Sequence, residues 1–379
     1  MSGLYIHIPY CKQACNYCNF HFSTTLINTG VMAKSIATEI ASRKDYLQSN
    51  KLSTIYFGGG TPSLLNEKEL TIIFKALEKN FDLSNIKEFT IEANPDDISA
   101  KSINFYKNLG VTRFSLGVQS FFNEDLIWMN RSHNATQADY SIKLLQDMEF
   151  ENLTMDLIYG YPLLSDKKWI ENLNQLKQYS IEHFSAYALT VEEKTPLFHQ
   201  IKLKKAGKLS DSQQSEQFDM CIDFAKNNDF EQYEISNFAR NSKYAIHNTN
   251  YWQAVEYLGV GPGAHSFDGQ SRRWNISNNN KYLSALNNGD IYWEKELLSL
   301  ENKVNEYLMT SLRTKWGCDL KQLFKSLDSE QIKSFNAQCA EFEERKWLIL
   351  EEETLYLTDL GKHYADKISS ELFVNELEN

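Results

Sequence analysis

Three cysteines stand close together near the start of the sequence, Cys11, Cys15 and Cys18, in the pattern C-x3-C-x2-C within the run YIHIPYCKQACNYCNF. The thiolate is the ligating form of cysteine, and three of them on one short loop can reach three irons of a cubane. The fourth iron of such a [4Fe-4S] cluster keeps open positions where a small chelating molecule can bind. Zinc as a rule asks for four protein ligands, and no fourth Cys or His stands at finger spacing, although His21 keeps a zinc reading open. A loop of three structural thiols is the third reading. The other cysteines, Cys221, Cys318 and Cys339, are far apart in sequence and read as buried, inert thiols.

A second set of unusual positions consists of the turn Gly58 to Pro62 (GGGTP), Glu92 with Asn94, Gln119 and Asp156. Each lies within or just after a short β-rich run, the runs covering residues 4–9, 54–57, 88–93, 113–118, 152–158 and 184–190. Helical periodicity fills the gaps, as over 67–80 with Leu70, Ile73, Phe74 and Leu77, and over 132–148 with Tyr140, Leu144, Leu145 and Met148. Strand then helix, six times over, predicts a parallel α/β sheet, either doubly wound or an incomplete (β/α) barrel. Both architectures gather ligands at the C-terminal ends of their strands, and the cysteines, the glycines and the lone polar residues fall there. Glycines at the second strand end let a backbone approach a ligand closely, though a plain tight turn would use them equally well.

The 379 residues are 42% hydrophobic and 13% aromatic, enough for one large core and a smaller satellite domain. A net charge of -11 argues against nucleic acid as a partner. The first nine residues lack the basic and apolar regions of a signal peptide, so a cytoplasmic location is expected. No run approaches the roughly 18 apolar residues of a membrane span, which limits any membrane contact to a peripheral one.

The cysteine spacing after a first strand, with a glycine-rich turn after the second, resembles the radical S-adenosylmethionine (SAM) superfamily. That resemblance implies a [4Fe-4S] cluster on Cys11, Cys15 and Cys18, with SAM chelating the unique iron and cleaved reductively to a 5'-deoxyadenosyl radical. It also implies an incomplete (β/α)6 barrel. The wider pattern YIHIPYC, GGGTPS, IEANPD, SLGVQSF, NR and MDLIYGYP is similar to the oxygen-independent coproporphyrinogen III oxidases and to their relatives, the HemW-type haem chaperones. By that likeness Tyr5, Tyr17, Gly59, Gly60, Thr61, Glu92, Gln119, Arg131 and Asp156 line the SAM site. Glu92 or Asp156 could accept from ribose hydroxyls and Arg131 could pair with the methionine carboxylate.

Two departures favour the chaperone branch. The oxidases resemble C-x3-C-x2-C-x-C, and here Phe20 stands where the fourth cysteine would be; the chain also begins four residues before Tyr5, without the oxidases' N-terminal arm. Later motifs, YEISNFA, HNTNYW and GVGPGAHS, resemble the same branch. It implies haem as a ligand, haem-accepting apoproteins as partners, and His247 of HNTNYW as a source of imidazole for the iron, with His7 and His265 competing for that role. His265 is expected to be hydrogen-bonded beside its glycine-rich turn. The expected organisation is a barrel over 1–230, a connecting region over 231–300 and a winged-helix-like α+β domain over 301–379. That last stretch holds ten Lys and Arg against sixteen Asp and Glu, which suits packing or partner contact rather than DNA. Whether the chain forms a homodimer stays open. An oxidase acting on coproporphyrinogen III and an unrelated radical SAM enzyme are the alternative functions.

Overall fold

The computed structural model describes residues 2–375, so residues 376–379 of the expected C-terminal domain lie outside the described residues. Six parallel strands lie side by side in chain order: β1 (Gly3–Ile8), β2 (Thr54–Gly59), β3 (Glu88–Ala93), β4 (Arg113–Gln119), β5 (Leu153–Tyr159) and β6 (His183–Ala188). Helices α1 (Thr29–Ser42), α2 (Glu67–Asn80), α3 (Ala100–Leu109), α4 (Asn123–Trp128), α5 (Ala135–Asp147) and α6 (Asp166–Gln178) connect them. The sheet is open, as an incomplete (β/α)6 barrel requires. β2 and β4 run slightly further than the sequence pattern predicts, carrying Gly59 and Gln119 into the strands.

Two-residue periodicity sorts the strand side chains. Leu4, Ile6, Ile55, Phe57, Phe114, Leu116, Met155 and Leu157 share a core with Ile36, Ile73, Ile103 and Ile142 of the helices. Their strand neighbours, among them Tyr56, Glu92, Ser115 and Asp156, point the opposite way, toward the inner face. Side-chain caps set the helix starts: Asn66 and Glu69 form a reciprocal capping box on α2, and Asn134 with Gln137 does the same on α5. On α5 the buried stripe is Ala138, Ser141, Ile142 and Leu145. Tyr140, expected on that stripe, is 58% exposed, because a residue two places away along a 3.6-residue helix lies about 200° around its axis.

After α7 (Pro196–Lys202) and α8 (Asp211–Lys226), the chain adds strands to both sheet edges. β7 (Glu231–Glu234) and β8 (Asn237–Ala239) extend the sheet beyond β6, with β8 antiparallel to it. Helix α9 (Ile246–Trp252) carries HNTNYW, and β9 (Tyr257–Val260) then runs parallel to β1 at the opposite edge. β10 (His265–Phe267), β11 (Ser271–Asn275), α10 (Asn279–Asn288) and β12 (Trp293–Leu297) follow, with antiparallel pairing outward from β9.

The C-terminal unit has a core of its own, built on Leu308, Leu323, Phe335, Phe342, Leu355 and Ile368. Its order is that of a winged helix: α11 (Leu300–Leu312), β13 (Cys318–Asp319), α12 (Leu320–Phe324), α13 (Ser329–Glu344), then the wing β14 (Leu348–Glu351) and β15 (Thr354–Leu357). Short helices α14 (Asp359–Lys362) and α15 (Ala365–Glu371) close it. Cys221, Cys318 and Cys339 are buried and unpaired. Among the described residues, no helix is long and apolar enough to cross a membrane.

Candidate functional site

The three clustered cysteines sit on the loop after β1, half-buried and free of disulfides. Backbone bonds pin this loop from both ends: Cys11 N–H donates to Ser23 O at 3.0 Å, and Ser23 N–H to Pro9 O at 2.9 Å. Its middle is tied to the segment after α4, where Asn16 N–H donates to Met129 O at 3.0 Å and Asn130 Nδ2 to Ala14 O at 2.7 Å. All three thiols face a cavity of about 630 Å³ at the C-terminal ends of the strands. Burial pushes Cys11 up to about 12 and raises Cys18 as well. Iron binding would ionise such thiols outright.

Among the described residues, no three His, Cys, Asp or Glu side chains converge as a single ion demands. The three thiols all line one cavity, where each could meet a different iron of a cubane. Hydrogen-bond donors reach this wall too. Thr61 Oγ1 donates to Cys11 Sγ at 3.5 Å and Arg131 Nη1 to Cys15 Sγ at 3.2 Å. Donors of this kind stabilise sulfur that carries negative charge.

The same cavity gathers Tyr17, Gly59, Gly60, Thr61, Glu92, Gln119, Arg131 and Asp156. Gly59 has φ 106°, and a Cβ there would lie 2.7 Å from the His7 ring, while a Cβ on Gly60 would lie 2.5 Å from Tyr10 O. Glycine is thus required at both places by the fold itself. Gln119 has φ 66°, where β4 slips its register against β5. Positive φ at a non-glycine strand end marks a locally strained position of the kind that clusters in functional sites. Arg131 bridges several elements, with Nη2 donating to Asn94 Oδ1 at 2.6 Å and to Gly117 O at 3.0 Å, and Nη1 reaching Tyr17 OH at 3.5 Å. Only its Nε is left without a partner.

Glu92 accepts from Tyr56 OH at 2.7 Å, and Asp156 accepts from Ser115 Oγ at 2.9 Å. Burial pushes the Glu92 carboxyl from 4.5 up to about 7, against the Tyr56 bond and with Asp156 adding to the rise. A carboxyl raised on folding contributes stability that is complete below 4.5 and is lost as the pH climbs through 7. The ligand-free wild type should therefore lose more thermal stability from about pH 5 to about pH 8 than Glu92→Gln does, read as melting midpoints. Parallel pH profiles for the two proteins would refute a proton held on Glu92.

Sequence reading passed over Tyr56, Arg113 and Ser115. Arg113 is fully buried, donates to Thr90 and Thr154, and lines the cavity below the two carboxylates. The available signal was alternation, since Arg113, Ser115, Gly117 and Gln119 put every second residue of β4 on one face.

Two expected residues lie outside this cavity. Tyr5 bonds His7 Nδ1 at 3.1 Å and lines a second cavity of about 750 Å³. His247 is buried where the strands begin, against Thr54, the first residue of β2. Its Nδ1 bonds Thr54 Oγ1 and its Nε2 bonds Tyr251 OH, both at 2.8 Å. Glu88 holds the helix in place by accepting from the Ile246 and His247 backbone N–H groups at 2.8 and 3.0 Å. Burial, with Arg113 nearby, drives His247 down to about 3, so its imidazole is neutral at physiological pH. His265 makes no ring hydrogen bond among the described residues, contrary to expectation. It is exposed at the start of β10 and lines the second cavity.

Comparison with known proteins bears on the family and the fold. Residues 5–176 match the radical SAM superfamily model and residues 298–363 match the HemN C-terminal domain. The chain is 32% identical to the radical S-adenosyl methionine domain-containing protein 1, mitochondrial, of Dictyostelium discoideum, over 97% of this chain and 93% of that protein. It is 29% identical to the heme chaperone HemW of Bacillus subtilis over the full length of both. In fold it superposes on the coproporphyrinogen III oxidase HemN of Escherichia coli with a TM-score of 0.86 at 19% identity, covering 99% of this chain and 90% of the other.

Proposed function

Because this chain belongs to the radical SAM superfamily, in the branch of the HemW-type proteins, we propose that it binds haem and hands it to haem-requiring apoproteins in the cytoplasm. The family brings a [4Fe-4S] cluster and SAM, and in this reading Cys11, Cys15 and Cys18 hold the cluster. When bound, the cluster supplies an electron to chelated SAM. The chain's own part is to hold and orient. The backbone at Gly59 and Gly60 lies beside the methionine amino group, and Thr61, Gln119 and Tyr17 close the walls around it. Glu92 and Asp156 accept from the ribose hydroxyls, and Arg131 keeps a cation beside Cys15 and the methionine carboxylate. Residues 1–230 carry this site, 231–300 connect it to the rest, and the acidic module over 301–379 serves packing or partner contact.

Full-length likeness to a haem chaperone carries the reading. Phe20 supports it, because the position where the oxidases have a fourth cysteine holds an apolar ring that is 72% exposed. A phenylalanine cannot ligate metal or move protons, which weighs against decarboxylation of coproporphyrinogen. Titrating the purified protein with haem should produce a Soret band distinct from that of free haem, saturating near one haem per chain. A spectrum unchanged from free haem would reject the reading. So would catalytic conversion of coproporphyrinogen III to protoporphyrinogen IX in an anaerobic assay with SAM and a reductant.

A further inference from the structure

The second cavity lies between the β9–β11 edge of the sheet and helix α11, separate from the SAM site. Resting on the haem-binding reading above, we propose that this cavity seats the iron porphyrin and that His265 is its axial ligand. At about 750 Å³ it falls within the ~300 to 1,000 Å³ of small-molecule pockets. Its walls include Phe20, Tyr251, Trp252, Tyr257 and Phe267, flat rings suited to the face of a macrocycle.

The choice of ligand follows from the ring nitrogens, since an axial imidazole must offer a lone pair that nothing else occupies. Three histidines line the cavity. His7 has both nitrogens engaged, by Tyr5 OH at 3.1 Å and His21 O at 2.8 Å. His21 Nε2 donates to Asn279 Oδ1 at 2.7 Å, which leaves for iron only Nδ1, the nitrogen crowded by its own Cβ and backbone. His265 has both nitrogens free among the described residues, and its ring lies beside Trp274 with ring centroids 6.2 Å apart. Partial burial and Arg272 lower its pKa, which favours the neutral, ligating form. His247 lines neither cavity and already spends both nitrogens.

Charge at the rim matches the porphyrin's carboxylates. Arg272 is neutralised by Glu306 through bonds of 2.8 and 2.7 Å. Lys303 donates to the neutral Gln270 Oε1 at 2.5 Å, forms no ion pair among the described residues, and so keeps its charge for a propionate. Asn19 and Phe20 line both cavities, so the loop after Cys18 is a shared wall between porphyrin and cluster.

Ferric haem titration of the full chain tests this, with metal-free protoporphyrin IX fluorescence reporting the pocket without its iron bond. His265→Ala should weaken haem binding about tenfold or more and erase the histidine-ligated spectrum, while metal-free porphyrin binding changes little; added imidazole should restore the spectrum. His265→Met should keep haem but show a thioether-type ligand field. Lys303→Glu should weaken both porphyrins. If wild type binds haem and both His265 variants keep its spectrum, or His247→Ala alone loses it, the assignment is overturned while haem binding stands. If wild type binds no haem, the functional reading itself fails.

Discussion

Cys15→Ser should strip the protein of iron: anaerobically reconstituted wild type should carry about four irons per chain, and the variant close to none. Three thiolates on one loop leave a single iron of the cubane free for SAM, so none of the three is spare. A serine alkoxide is a hard, rarely ionised donor and a poor replacement for thiolate on iron. The substitution should leave the fold intact, because the loop is held mainly through its backbone and through Asn16 and Asn130, and a serine hydroxyl can still accept from Arg131 in place of Cys15 Sγ. Reduced wild type should change its EPR signal when SAM is added, and the variant should give no signal to change. Cys221→Ser, Cys318→Ser and Cys339→Ser make the contrast, because these thiols are buried away from the cavity and their loss should leave iron content unchanged. Full iron in Cys15→Ser, or its loss in one of those three, would put the cluster elsewhere.

The cysteine loop was legible because its chemistry is local: three candidate ligands within eight residues announce themselves without any tertiary information. Asp156 was legible for a related reason, as the lone carboxylate of β5, and Glu92 as the carboxylate near the C-terminal end of β3. Arg113 reads alone as an ordinary strand start, and its place beneath those carboxylates appears only through the register that aligns it with Thr90 of β3. Long-range pairing hid more. Helix α9 is recognisable by its motif, yet its seat at the N-terminal strand ends depends on Glu88, 159 residues away from His247, and on β9 returning beside β1. No local pattern encodes that return. Hence the sequence could nominate His247 for its residue type, while the free nitrogens that distinguish His265 became visible only in three dimensions.

Glu39 shows the same limit with a larger energetic consequence, and Glu39→Ala should destabilise the protein by about 3 to 5 kcal/mol. In sequence it is one more glutamate on an amphipathic helix. In the fold its side chain is fully buried, and its carboxylate accepts from Arg43 Nη1 at 3.2 Å, Asn275 Nδ2 at 2.8 Å, Gly261 N–H at 2.8 Å and Tyr282 OH at 2.6 Å. Those donors come from the residue after α1, from β11, from the turn after β9 and from α10, so one side chain fastens the antiparallel edge to the barrel. Alanine would leave the Arg43 guanidinium buried without its counter-charge and Gly261 N–H and Tyr282 OH without an acceptor, each carrying its desolvation cost, while Asn275 Nδ2 would keep only Gly261 O. Glu39→Gln should recover part of the loss, because one oxygen still accepts while the new NH2 group faces donors. Against a typical total stability of about 5 to 15 kcal/mol, the alanine variant should show a lower urea midpoint and faster hydrogen exchange in β9 to β11 than in β3 to β5. Haem affinity should fall with it, since His265 and Trp274 ride on that edge. A loss under about 1 kcal/mol, within the range of an exposed ion pair, would mean that the network is not what holds the edge in place.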